Sequence, residues 1–262
     1  MPTSLCSGLK LRNTISAILE KEFFGKLSIN HSINQSTILR WYDMYIQAFN
    51  SNTPLSSITP PPSFPLNKDY IGHDLPVWIE GDPFKAFDSN KHKYCGPISI
   101  SAVNNPDASL EKKKKIMIIG QDPMRINKLK DKLVVMSPWG LHSPFAFTKQ
   151  SRFHNWIICP LLAKGYAIYV TDYYKLFATD LSRNDKNRIA DSRKFVANMN
   201  ICFDTILEEE MKAFNPSHVV ILGMASFQQN VITICKRLNI KFCQVPHPNA
   251  RGINHTAYLN LP

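Results

Sequence analysis

No two of the six cysteines (Cys6, Cys95, Cys159, Cys202, Cys235, Cys243) stand as a CxxC pair. Their scatter argues against a disulfide framework and lends no support to a metal or iron–sulfur site. They read as small buried hydrophobes in a reducing compartment. No apolar run approaches the ~20 residues that cross a bilayer. The opening MPTSLCSGLKLRNT lacks a signal-peptide core, so an intracellular protein is expected. GxSxG and both glycine-rich phosphate loops are missing, which counts against a small-molecule α/β hydrolase or a nucleotide-binding protein. No repeat of fixed period is visible. Acids are also scarce: 20 Asp and Glu face 31 Lys and Arg, for a formal charge of +11 and a pI near 9.4. That balance points to a polyanionic partner, most commonly nucleic acid. An anionic membrane surface and a merely basic soluble protein stay open as alternatives.

What is present is a globular chain of 262 residues, 44% hydrophobic and 11% aromatic. Ile116 to Ile119 read as a short strand buried on both faces, ended by Gly120 and followed by the polar turn Gln121, Asp122, Pro123. Pro123 fixes its own φ and holds Asp122 extended, which aims the carboxylate. The bland alternative is a helix cap. YAIYVTD (166 to 172), HVVILG (218 to 223) and IKFCQV (240 to 245) repeat the pattern of an apolar strand. Helices are expected over 151 to 165, divided by Pro160, from Asp191 or Ser192 to about Phe214, and over 225 to 237. Four such strands joined by helical crossovers predict a doubly wound, three-layer α/β/α fold with a central four-stranded parallel sheet.

Residues 9 to 49 read as two amphipathic helices packed on that sheet domain, a helical N-terminal extension. SNTPLSSITPPPSFPLN should run extended over the surface. Residues 70 to 110 give no confident pattern. Glu111 and Lys112 to Lys115 read as a solvated strand entrance. NKLKDKL and the stretch after Asp172 read as polar loops, and SPWGLHSPFAF (137 to 147) as a pocket-lining loop. The division expected is therefore 1–110 and 111–262.

Parallel strands deliver their carboxyl ends to one edge. Asp122, Asp172 and His247 would thus meet at a crevice, although Asp172 also suits a turn cap and His247 an ordinary loop histidine. GQDP at 120 to 123, WGL plus an aromatic at 139 to 147, the acid at 172 and HPNARG at 247 to 252 resemble the uracil-DNA glycosylase superfamily over roughly residues 112 to 262. GQDP on a strand end together with a final HP motif is a fairly specific pair.

The resemblance implies a base-excision-repair DNA glycosylase that hydrolyses the N-glycosidic bond of uracil or a related pyrimidine flipped out of DNA. Asp122 would activate the water that attacks C1′ and stabilise the cationic sugar. His247 would hydrogen-bond the pyrimidine O2, and Phe145 or Phe147 would stack on the base. Gln121, through its backbone, would help hold the pyrimidine carbonyl. Met124 and Asp172 would contact the base. Arg125 and the loop Pro248, Asn249, Ala250, Arg251 would contact DNA. The implied enzyme is monofunctional and monomeric, works without metal or cofactor on double- or single-stranded DNA, stays off membranes, and would be cytoplasmic and nucleoid-associated in a bacterium.

Two departures stand out. Met124 occupies a position where the family often has an aromatic that excludes thymine's methyl group, and Asp172 stands where the family usually has Asn. An amide accepts and donates, whereas an ionised carboxylate only accepts. The accepted base is therefore expected to be other than simple uracil, or Asp172 to sit neutral. The competing expectation is a nucleic-acid-binding relative that has lost turnover.

Overall fold

A computed structural model describes residues 4–24, 94–99, 102–103, 114–122, 135–136, 152–179, 200–223 and 227–262. The expected parallel core is there. β3 (Lys115–Gly120), β5 (Ala167–Asp172), β7 (His218–Leu222) and β8 (Lys241–Val245) are all parallel, in the spatial order β5-β3-β7-β8. β2 (Ala102–Val103) adds a short antiparallel strand beyond β5. Ile116, Met117, Ile118 and Ile119 are fully buried, as the run of four apolar residues requires of a strand covered on both faces.

Two elements differ from the sequence reading. β1 (Tyr94–Ser99), β4 (Val135–Met136) and β6 (Leu176–Thr179) make a second, three-stranded sheet, so the segment after Asp172 is partly strand rather than all polar loop. Its pairing partners lie about 80 residues back in the chain, and no local signal reports such a contact. The long helix expected to end near Phe214 starts only at Phe203. Asn200 is left-handed (φ 54°) and Cys202 extended, which interrupts any continuous helix there. The helix expected over 225 to 237 is present from Phe227 to Arg237, and its expected start falls outside the described residues.

The helices bury faces in the expected way. α1 (Ser4–Leu19) continues into a π-helical turn, Glu20–Phe24, and buries Leu11, Ile15, Leu19 and Phe23. Four-residue spacing drifts around an α-helix, and the wider π turn returns Phe23 to the buried side. Each of these side chains contributes roughly 1.5–3 kcal/mol of burial. The helix packs on α3 (Phe203–Phe214), with Phe23 and Phe203 ring centroids 6.2 Å apart. The second helix expected before residue 49, the proline-rich stretch and the loop at 137 to 147 lie outside the described residues.

α2 (Cys159–Ala163) follows a second π-helical turn, His154–Ile158, and this irregularity falls just before Pro160, whose missing N–H disturbs a regular helix. α3 buries Phe203, Ile206, Leu207, Glu210, Met211 and Phe214 at helical spacing. It stops at left-handed Asn215, whose N–H returns to the Met211 carbonyl at 2.7 Å. α4 (Phe227–Arg237) links β7 to β8.

Candidate active site at the carboxyl edge of the sheet

From β3 the chain moves to β5 on one side, and from β7 it moves to β8 on the other. Connections that part in this way leave a crevice between the carboxyl ends of β3 and β7. Asp122 lies two residues past β3, Asp172 is the last residue of β5 in register with Gly120, and His247 lies two residues past β8. β3 and β8 flank β7, so their ends are separated by about 10 Å, twice the strand spacing. Between them sits Gly223, at φ +91°, its N–H bonded to the Val245 carbonyl at 2.9 Å. A Cβ there would meet the His247 Cβ at 3.9 Å, an ordinary contact. The glycine therefore answers to the backbone turn and not to lack of space.

The turn after β3 is zipped to the turn after β5. Tyr173 N–H bonds to the Gly120 carbonyl and Tyr174 N–H to the Gln121 carbonyl, both at 2.9 Å. The Gln121 side chain then donates Nε2–H to Asp122 Oδ2 at 2.8 Å. Gln121 thus steadies the neighbouring carboxylate with its amide, a role its sequence position beside Asp122 permitted but did not announce. Its carbonyl is already engaged, so any contribution to a base carbonyl rests on its N–H.

Asp172 is buried, 2% exposed. Beside it runs a charged network inside the protein. Lys175 Nζ lies 2.7 Å from Glu210 Oε2, both side chains at most 1% exposed, and Lys175 also donates to Thr171. Tyr169 donates its hydroxyl to Glu210 Oε1 at 3.0 Å. The next residue, Tyr173, donates to Asp204 Oδ1 at 2.6 Å and accepts from Asn230 at 2.8 Å. Burial and the Asp204 carboxylate raise its phenol pKa well above the ordinary value. Tyr174 stacks edge-on against Tyr173 (4.7 Å) and Phe203 (5.5 Å).

His247 is half-buried, and burial pushes its pKa below the ordinary 6.5. Its Nδ1 lies 3.0 Å from the Asn249 N–H. A backbone N–H only donates, so Nδ1 is the bare nitrogen and the neutral ring carries its proton on Nε2. The loop is braced from below. Ala250 N–H returns to the His247 carbonyl at 2.9 Å, and Tyr258, in the 3-10 turn His255–Tyr258, donates to the Pro246 carbonyl at 2.9 Å. Asn254 caps that turn through Thr256 N–H at 3.1 Å. Tyr258 packs on Trp156 with centroids 5.9 Å apart. In the loop Asn249 and Arg251 are exposed, Ala250 half-buried and Pro248 buried. Tyr258 and Gly223 escaped the sequence reading; only the glycine, at a strand end, left a signal there.

The structure brings Asp122, Asp172 and His247 to one edge, with an acid past β3 and an imidazole past β8 on either side of Gly223 at the end of β7. Such a pair can stabilise positive and negative charge as a bond between them is pulled apart. Met124, Arg125, Phe145 and Phe147 lie outside the described residues. Among the described residues no His, Cys, Asp and Glu group of three converges as for a metal ion, and no helix is long and apolar enough to cross a membrane. The family model described as the uracil DNA glycosylase superfamily matches residues 108–260, more than half of the chain. A comparison with curated proteins found no match.

Proposed function

The chain belongs to the uracil DNA glycosylase superfamily, and from that premise we propose that it is a monofunctional DNA glycosylase acting on a pyrimidine extruded from DNA. The reading is supported by the placement, at one edge of the sheet, of a carboxylate held by Gln121 and an imidazole whose proton is on Nε2. A base inside a duplex cannot be reached, so it is unstacked at a cost of about a few kcal/mol. As the glycosidic bond lengthens, Asp122 stabilises the cationic sugar and orients the attacking water. His247 Nε2–H meets the charge building on the departing base. No amine nucleophile stands in the motif, so strand cleavage is not part of the reaction. The glycosylase unit is taken as residues 111–262, to whose strands β1 and β2 of the preceding segment add pairings.

Asp172 reads the Watson–Crick edge of the base. As a buried carboxylate it favours an exocyclic amino group, or else it is protonated before it meets a uracil carbonyl. The second reading, a binding relative with little turnover, is favoured by Asp172 and Met124 and opposed by the intact Asp122 and His247. Oligonucleotides bearing uracil, 5-hydroxymethyluracil or cytosine, incubated with the protein and heated in alkali, reveal abasic sites. Cleavage is expected for at least one base and should fall about 10²–10⁴-fold in Asp122→Asn. Absence of base release in single turnover establishes the binding relative instead. Robust uracil release unaltered by Asp172→Asn removes the specificity assignment.

A further inference from the structure

The chain contains no Asp or Glu from residue 132 to 171, and none from 211 to 262. The fold lays described parts of these two stretches against each other beside the His247 loop. Trp156 meets Tyr258, Lys164 Nζ donates to the Leu261 carbonyl at 2.7 Å, and Arg152 Nη1 reaches the Pro248 carbonyl at 3.5 Å. Two of the basic residues on α3 and α4 are answered: Arg237 pairs with Glu208, and Lys212 with Glu208 and Glu209. Arg152 and Arg251 are both exposed and have no acidic partner among the described residues.

We propose that Arg152 binds a phosphate of the DNA strand that flanks the extruded nucleotide, and does so as part of the same surface as the loop Pro248 to Arg251. The assignment deepens the glycosylase reading and rests on it. Arg152 is exposed yet restrained, because its guanidinium lies over the Trp156 ring, 5.1 Å from the centroid. Stacking fixes the planar group before DNA arrives, so less side-chain freedom is lost on binding. Among the described residues one of its five N–H donors is used, in a bond at the long limit of hydrogen bonding; a contact that weak does not account for holding an arginine in place. The remaining donors and the uncompensated charge suit a phosphate oxygen pair. The surroundings, free of carboxylates over both stretches, would not repel a phosphate backbone.

Equilibrium binding of the whole protein to a duplex carrying a reduced abasic site, titrated between about 50 and 200 mM salt, tests this. In Arg152→Gln the slope of log K against log salt is expected to become shallower by about 1. Arg152→Lys should keep the wild-type slope. Arg152→Met retains the stem over Trp156 and serves if the Gln variant does not fold. Tyr258→Phe, which disturbs the loop without changing charge, should leave the slope as it is. A slope unchanged in both Arg152→Gln and Arg152→Met overturns the assignment whatever the base-release assay gives. A wild type that releases no base, with the slope change present, overturns the glycosylase reading and keeps Arg152 as a phosphate contact.

Discussion

The two walls of the crevice are built from different materials. Under Asp172 the wall is charged and dry: Lys175, Glu210, Thr171 and Tyr169 share one buried network, and α3 supplies the carboxylate. Under His247 the wall is made of turn hydrogen bonds, the Tyr258 hydroxyl and the Trp156 ring with Arg152 stacked on it, and no Asp or Glu lies after residue 210. The first wall has its geometry set by partners that cannot be removed singly. A buried ion pair adds little over apolar packing, but half of one is very costly. The second is held by bonds worth little each, and burial there lowers the pKa of the imidazole. The difference matches the work proposed for each side, with a fixed polar reader on one and a neutral proton donor near DNA on the other.

Breaking the charged wall should have the largest effect on stability. Glu210→Ala leaves Lys175 buried without its carboxylate and is expected to lose about 3–5 kcal/mol in urea unfolding. Replacing both with methionine should recover most of that loss. Recovery would show that the pair supplies shape and not net stability. The glycine turn between the walls comes next. Gly223→Ala forces a side chain into φ +91° and should cost roughly 1–2 kcal/mol, through backbone strain and not collision with His247.

On the His247 side, Tyr258→Phe removes one hydrogen bond to the Pro246 carbonyl. The expected loss is about 0.5–1.5 kcal/mol, read as a few-fold slower base release with DNA affinity retained. The smallest effect is the response to acid. Burial holds the His247 imidazole below 6.5, so in the native state it stays neutral where the unfolded chain's histidine has begun to take up a proton. Its contribution to stability is therefore constant above about pH 6.5 and declines as pH falls from there towards the lowered native pKa. Single-turnover base release, if His247 works as the neutral ring, should show its acid limb below the ordinary histidine value of about 6.5. An acid limb centred at or above 6.5 would break the comparison by making this ring the charged one.

Much of this molecule was legible beforehand because buried parallel strands have a local signature. Ile116–Ile119, Val219–Leu222 and the run from Ala167 are apolar on both faces, and each ends in a residue type that breaks the pattern. The end of one strand predicts the side of the sheet on which the next residue emerges, so Asp122, Asp172 and His247 could be assigned to one edge from order alone. The second sheet was not legible, since β1, β4 and β6 are short and gain their identity only from partners distant in the chain. The start of α3 is not legible because Phe195, Val196 and Met199 continue its apolar period upstream, while the break comes from backbone conformation at Asn200 and Cys202.

The sequence by itself determined the parallel core, the family and the three residues at the strand ends, because burial period and turn chemistry are local properties. Only the tertiary structure decided how those residues are held. Gln121 on Asp122, Asn249 on the imidazole, Tyr258 under Pro246 and Lys175 against Glu210 depend on where crossovers and turns come to rest. Hydrogen bonds and ion pairs act over about 3 Å, and a separation that small between residues far apart in the chain is a property of the packed fold.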